Sequence, residues 1–574
     1  MNKKIINAER LLPVTNRSVN LDSETRAQLK SSLKIMIEMA QEFLYHDPDI
    51  GPTIVAGFDH FAPGEMLTNW GRDTGMTLFS ATALLGNSQM FQDISETYLS
   101  YIKGGLEPNF IGNGQNPDYN SIDATGCFGE ALALFLEQTG NFDFFLDNRI
   151  YMKNKLSNGK SKATIFEILE DVIAMHQKEG GIPVFCNGGY TNIYINSRGL
   201  VAGGNEMTNL SWQDAKEWGE GKIPYTPRWG AQVGVNARHI VTLSLAAKVS
   251  AYKGDMQKAR YYNNLAKQAR AAFNQDFWFK PGQYLRDVAW GNHYEEYLFR
   301  PNQFVALAWN LLDDINAKGN PIVDRAIHDL LTPYGLRTRS PFFWNGGWDP
   351  AFRPERHEGN RNEAYHQGIV WPWLLGYFML SSIRVKGQQE TVNILEKAHV
   401  FKGLYKETQL GLAPEIYNAW AGINPDKSFN PFDGFNGTGC YKQSWTLLLL
   451  LGLSRLVPEL FQEALEEVKN APPWWAFTHK IYYAPKGKEV EVKIKYPEKG
   501  NQQVKLHYGT ADPNNPEGPW TDYGDIIFTR IDHNGERIPG EGVMRQANLP
   551  ADANVFGFKF PNGEWKGPFV IRRR

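Results

Sequence analysis

Four short stretches gather side chains able to move protons or to grip a polar ligand. NWGRDTG (69–75) sets Arg72 beside Asp73, just after Trp70. NPDYNSIDA (116–124) crowds Asn116, Asp118, Tyr119, Asn120 and Asp123 at the mouth of an apolar periodic segment. TNLSWQDAKEWGEG (208–221) holds Asp214 between Trp212 and Trp218. EAYHQGIVWPW (363–373) carries Glu363, His366, Trp371 and Trp373. Carboxylates and arginine make bidentate hydrogen bonds, amides donate and accept, and an indole offers a flat apolar face. Together these are the groups that a site for a polyhydroxylated ligand needs, with carboxylates available for general acid–base work.

Each residue also fits a plainer role. Asp73 and Asp123 stand at loop–helix boundaries, where an aspartate caps as readily as it binds. His366 fits a core histidine, and Trp371 and Trp373, on either side of Pro372, fit a core. The combination carries the functional reading. Other chemistries lack their motifs: there is no GxxxxGK[ST] phosphate loop and no GxSxG elbow. The glycines of GLVAGGNEM (199–207) stand outside a strand–helix context, and no metal-ligand spacing occurs. Acid–base chemistry by carboxylates remains, with neither metal nor organic cofactor expected.

The bulk numbers narrow the setting. A net charge of −2 over 574 residues gives no electrostatic case for nucleic acid. Aromatics at 13%, with 17 Trp and 25 Tyr, suit a large core and sugar stacking alike. Cys127, Cys186 and Cys440 cannot pair completely and lie far apart, as reduced thiols do. The start, MNKKIINAERLLPVTNRS, has no continuous apolar stretch of a secretory signal, and the longest apolar run, 447–451, is too short to cross a bilayer. A cytoplasmic protein without a membrane partner is expected; oligomeric state is left open.

Helical periodicity positions these motifs. Leu29, Leu33, Met36, Ala40, Phe43 and Leu44 recur at helical spacing behind Asp22 and Ser23. Similar segments follow near 73–86, 90–103, 122–138, 164–178, 231–252, 256–277, 301–313, 320–331, 366–382, 388–401, 440–456 and 459–469. Long loops rich in Gly, Asn, Trp and Pro separate some of them, at 104–120, 180–230, 333–365 and 405–438. About a dozen helices joined by alternately short and long connections suggest hairpins closing into a ring, with the long loops gathered at one end. After NAPPWW (470–475) the pattern switches to period two in KEVEVKIKY, QVKLHYG, DIIFTRI and VFGFKF, which predicts a β-sandwich of roughly 100 residues. The expected division is 1–470, mainly α, and 471–574, a sandwich with aromatics at Trp475, Tyr482, Tyr483, Tyr508, Trp520, Tyr523 and Trp565 able to bind carbohydrate.

In chain order, NWGRDTGMTL, NPDYNSIDA, SWQDAKEWGEGKIPYTPRWGAQVGVNA, LRT, AYHQGIVWPWLLGYF, LAPEIYN (412–418) and CYKQSWTLLLLL (440–451) resemble the amylo-α-1,6-glucosidase domain of glycogen debranching enzymes, over roughly residues 50–455. The resemblance implies an (α/α)6 barrel. It implies that Asp214, in the Trp-x-Asp motif, is the general acid and Glu415 the general base. It implies a glucose subsite with Trp70, Arg72 and Asp73, and binding positions at Asp123, Trp212, His366 and Trp371. The implied reaction is inverting removal of single α-1,6-linked glucose stubs from glycogen or a related α-glucan. A raised pKa for Asp214, from burial against Trp212 and neighbouring acids, would suit that task. Gln213 stands where the family usually has Met, and neither a 4-α-glucanotransferase domain nor an N-terminal β-domain precedes the barrel segment. Two other functions fit: an exo-acting α-glucosidase like glucoamylase or trehalase, or a non-catalytic glucan-binding protein, against which the presence of both Asp214 and Glu415 argues.

Overall fold

A computed structural model describes residues 13, 18–47, 49–58, 66–67, 69–112, 115–216, 224–291, 297–342, 363–409, 411–418, 437–438, 440 and 442–470. Of the C-terminal part it describes the backbone of 481–486, 489–496, 505–510, 521–527, 529–531, 543–549, 555–559 and 565–570. Trp218, Trp475 and Trp520 lie outside the described residues.

The described chain is mainly helical, with fifteen α-helices. Helix α1 (Ser23–Glu42) starts where the Asp22 carboxylate accepts the Thr25 N–H at 2.9 Å. Next come α2 (Gly71–Ala81), α3 (Ser88–Ser100), α4 (Ala124–Thr139), the single turn α5 (Asp143–Leu146) and α6 (Ile165–His176). A reciprocal capping box between Thr164 and Glu167 fixes the start of α6. Helices α7 (Val233–Lys253) and α8 (Met256–Asp276) form a hairpin around Gly254, whose φ of 88° ends α7 at a residue without a Cβ. Then follow α9 (Phe304–Ala308), α10 (Ile315–Asp329), α11 (Leu374–Lys386), α12 (Gln388–Lys397), α13 (Val400–Gln409), α14 (Leu448–Leu456) and α15 (Pro458–Asn470).

Burial sorts these helices into two layers. Every residue of α2 and of α9 is buried, and so are most residues of α7, α11 and α14. In contrast, α8 buries a stripe, Ala259, Tyr262, Ala266, Ala269 and Phe273, and leaves Lys258, Arg260 and Lys267 outside. The buried helices touch in sequence: α2 packs on α4, α4 on α7, α7 on α9, α9 on α11, α11 on α14, and α14 on α2. One apolar core runs through them, with Trp309, Trp371 and Trp373 among its largest fully buried side chains.

Several elements depart from the periodicity. The segment 301–313 yields only a 3-10 turn and the five residues of α9. The segment read as a helix from 366 has a 3-10 turn at Glu363–His366 and a strand at Val370–Trp371 before α11 begins. The segment 388–401 is two helices, because His399 takes φ 57° and breaks the run; α13 then occupies part of the expected loop 405–438. The expected loop 180–230 carries much of an antiparallel sheet. Its strand order is Val288–Ala289, Gly230–Gln232, Val201–Gly203, Gly189–Ile195, Ile182–Cys186. A second antiparallel sheet orders Leu331–Thr332, Gly335–Arg337, Val370–Trp371, Ile416–Tyr417, Gly437–Thr438. The C-terminal strands pair into two four-stranded antiparallel sheets, 481–486, 489–496, 543–549, 529–531 and 521–527, 505–510, 555–559, 565–570. Strands 481–486, 543–549 and 565–570 add to those expected.

Candidate active site

The loop bearing Asp214 leaves strand Val201–Gly203 and returns as Gly230–Gln232, so the first sheet clamps both its ends. Within it, Asn209 donates to the carbonyls of Gln213 and Thr226. The Trp212 N–H donates to Asp123 Oδ2 at 2.8 Å, and its indole N–H to Asn302 Oδ1 at 2.9 Å. Gln213, fully buried, accepts from Asn302 Nδ2 at 3.0 Å. Behind them, Arg228 pairs with Asp287 at 2.6 Å and donates to Ser211 at 2.8 Å. Anchored on both sides, the loop keeps the Asp214 side chain open, 42% exposed.

Asp214 faces the first turns of α2 and α4. Arg72 Nη2 lies 3.0 Å from Asp214 Oδ2, and Arg72 Nη1 lies 3.6 Å from Asp123 Oδ1. Neither Asp73 nor Asp123 caps a helix. Asp73 sits inside α2 and accepts from Gln443 Nε2 at 2.9 Å. Asp123 precedes α4 but spends its oxygens on the Trp212 N–H and on Ser121 Oγ at 2.6 Å. Both acids are buried at helix starts and stand free of cap duty.

Glu415 comes from the second sheet, immediately before strand Ile416–Tyr417. Its backbone N–H donates to the Cys440 carbonyl at 2.9 Å, and its Oε2 accepts the Cys440 N–H at 3.1 Å. The Tyr365 hydroxyl donates to Oε1. The acids form one electrostatic unit. Burial pushes the Asp73 carboxyl up to about 7; Arg72 opposes that shift, while Glu415 and Asp214 add to it. Asp214 is raised by the protein packed around its carboxyl even though one side stays open; Arg72 opposes the rise and Asp123 adds to it. Burial also drives the Tyr365 hydroxyl well above its ordinary value, with the charges of Glu415 and Asp214 behind it.

The remaining expected residues divide by exposure. Trp70 is 37% exposed and meets the edge of Phe110 at 5.4 Å. Trp212 is buried edge-to-face against Trp371, Trp373, Trp445 and His366, and Trp371 stacks on His366, so the two indoles build the wall rather than offering a ring face to solvent. His366 is 1% exposed, and burial together with Arg300, Arg72 and Arg228 holds it neutral. Neither of its ring nitrogens has a hydrogen-bond partner among the described residues. Sequence reasoning missed Tyr365, Gln443, Asn302, Arg228 and Asp287. Tyr365 neighbours His366 in EAYHQG and Arg228 lies in TPRWG, but only the fold connects them to the acids. Among the described residues no group of three His, Cys, Asp or Glu is placed to hold a metal.

The arrangement can donate a proton from an open carboxyl, hold a second carboxylate with a hydroxyl and an amide, and grip hydroxyl groups with an arginine between acids. A Saccharomyces cerevisiae protein named glycogen debranching enzyme is 25% identical over 395 residues, which cover 57% of this chain but only 25% of that protein. Two solved structures align at 12% identity. One is a sialidase, with TM-score 0.46, 90% of this chain and 38% of the other covered. The other is a GH78 rhamnosidase of Bacillus sp. GL1, with TM-score 0.44, 85% and 41% covered. The family model for amylo-alpha-1,6-glucosidase matches residues 35–448, well over half of the chain, and the chain belongs to that glycoside hydrolase family.

Proposed function

We propose that this chain hydrolyses single α-1,6-linked glucose stubs on glycogen or a related α-glucan, with inversion, using Asp214 as general acid and Glu415 as general base. One observation carries the reading: Asp214, on a loop clamped by the first sheet, and Glu415, at the start of a strand of the second sheet, flank the buried Arg72–Asp73 pair, Asp214 bonded to Arg72 at 3.0 Å and both carboxylates adding to the raised pKa of Asp73. Inversion needs two carboxyl groups about 6.5–9.5 Å apart, one protonated to serve the leaving oxygen and one ionised to activate water. Asp214, raised and open, suits the first role. Glu415, held by Tyr365 and the Cys440 amide, suits the second. Arg72, Asp73, Asp123 and Trp70 form the terminal glucose subsite, and His366, Trp212 and Trp371 shape its wall.

The same reading extends to the architecture. Residues 1–470 form an (α/α)6 barrel; the six buried helices, touching in turn and returning to the first, support it. Residues 471–574 form a β-sandwich able to bind carbohydrate, supported by two antiparallel sheets that exchange the chain between 521–527 and 529–531. A cytoplasmic setting fits three separate free thiols. No described helix is long and apolar enough to cross a membrane.

The test is incubation with a glycogen limit dextrin, reading the first-formed sugar by proton NMR for the parent and for Asp214→Asn. β-Glucose from the parent, with turnover lowered roughly 10²–10⁴-fold in the variant at similar oligosaccharide affinity, is expected. Initial α-glucose would require a retaining nucleophile. Release of glucose from α-1,4-linked chains alone would replace the linkage assignment. More than half of parental turnover in Asp214→Asn would remove that residue from the chemistry.

A further inference from the structure

The hairpin Ile182–Cys186/Gly189–Ile195 buries one face and opens the other. Ile182, Val184 and Ile193 face the core. On the opposite face Phe185, Tyr190 and Tyr194 are 52%, 78% and 41% exposed. Phe185 and Tyr190 are direct cross-strand partners, with ring centroids 5.2 Å apart. Period-two alternation puts Pro183 and Asn192, another directly opposed pair, on that same face. Tyr194 lies four residue steps beyond Tyr190, about 13 Å at ordinary strand rise, a length that spans more than one sugar ring. An aromatic row exposed to water at this size usually marks a binding surface.

Three features choose its occupant. From 182 to 195 the sequence, IPVFCNGGYTNIYI, contains no charged residue, so the face offers rings, an amide and a hydroxyl and nothing to attract an ion. That chemistry suits a neutral polyol. Ile182–Cys186 is the edge strand of its sheet, but Pro183 within it blunts the edge against strand addition by another chain. The hairpin also adjoins the acids. Its turn residue Asn187 accepts from Lys216 Nζ at 2.6 Å, two residues beyond Asp214, and Cys186 lies within the electrostatic reach of Asp214 and Asp118.

The geometry points to a second glucan-binding surface on this hairpin face. It holds an outer chain of the polysaccharide by stacking on Phe185, Tyr190 and Tyr194 while a branch end occupies the neighbouring acids. The inference rests on the α-glucan reading above for the identity of the sugar. Attachment at two points raises the effective concentration of branch ends on a polymer and does nothing for a substrate too short to reach both.

The test compares the parent with the triple variant Phe185→Ala, Tyr190→Ala, Tyr194→Ala by affinity electrophoresis in glycogen gels and by kinetics on glycogen limit dextrin and on a short branched oligosaccharide. The expected result is retardation by glycogen weakened roughly tenfold or more and a higher KM on the polymer. Turnover and KM on the oligosaccharide should be unchanged, which also reports an intact fold. Equal behaviour of parent and variant on the polymer overturns the inference. So does a change of mass by light scattering without a change in retardation, which would make the face a contact between two copies. A parent that cleaves the stub but is not retarded overturns the surface and leaves the reaction standing. A parent retarded through these rings that cleaves no stub does the reverse.

Discussion

Asp73 is where the site's electrostatics concentrate. In the fold it titrates at about 7 against 3.8 for an ordinary aspartate. Between those values the unfolded chain has released a proton that the folded chain keeps, so this group's contribution to stability is full at acid pH and is lost as pH rises through 7. Asp73→Asn, neutral throughout, should therefore gain stability relative to the parent between about pH 4 and pH 8, read from urea melts at both values; a constant difference between the two proteins would show that Asp73 is ionised throughout. Tyr365 donates to Glu415, the base of the proposed reaction. Tyr365→Phe should lower kcat roughly 10–100-fold, the scale of losing a hydrogen bond to a charged group, with KM nearly unchanged and the melting temperature retained. A rise in KM at constant kcat would instead make Tyr365 a substrate contact. The acids themselves were legible from residue type and motif. Their freedom from capping was not, because Ser121 and the Trp212 amide, which occupy Asp123, are joined to it only by folding.

At the scale of elements, helix order was readable because apolar residues recur at helical spacing in α1 and α8 and fill α4 and α7, while the described residues hold fifteen helices against about a dozen expected. The misreadings share a cause: a local backbone requirement that hydropathy does not register. His399 in the left-handed region divides one apolar run into α12 and α13. The pairing of Trp371 with Leu336 turns the start of an apparent helix into a strand. Asn187 and Gly188, with φ 55° and 81°, make the two-residue turn of a hairpin inside a segment that reads as loop. The buried helices are also tied by polar groups. Glu130 of α4 pairs with Arg238 of α7 at 2.7 Å, accepts Tyr377 Oη of α11 at 2.7 Å, and accepts the Trp309 indole N–H. Removing one member leaves the others buried and unpaired. Glu130→Ala should cost roughly 3–5 kcal/mol in denaturant melts, more than Glu130→Gln, which keeps an acceptor. Similar losses for both would locate the cost in the lost charge rather than in packing.

For the whole molecule, the C-terminal sheets pose a question that activity can answer. Their last strand, 565–570, approaches α13, so they either cover a flank of the helical part or bind glucan as well. A chain ending at residue 470, confirmed folded by its melt, should lose activity on glycogen several-fold while keeping it on a short branched oligosaccharide, if the sheets supply an attachment point. Equal losses on both substrates would leave only the covering role. The chain spans a quarter of the length of its yeast relative. The segment just before α14 closes onto α2, with a consequence for how the protein is made. Asp73 meets Gln443 across 370 residues, and Thr77 meets Ser444 across 367. A ribosome delivers Arg72, Asp123 and Asp214 early, Glu415 late and the strut from Gln443 later still. On the proposed assignment, a nascent or prematurely terminated chain carries half of the acid pair, and hydrolysis would begin only after nearly the entire helical part has been made.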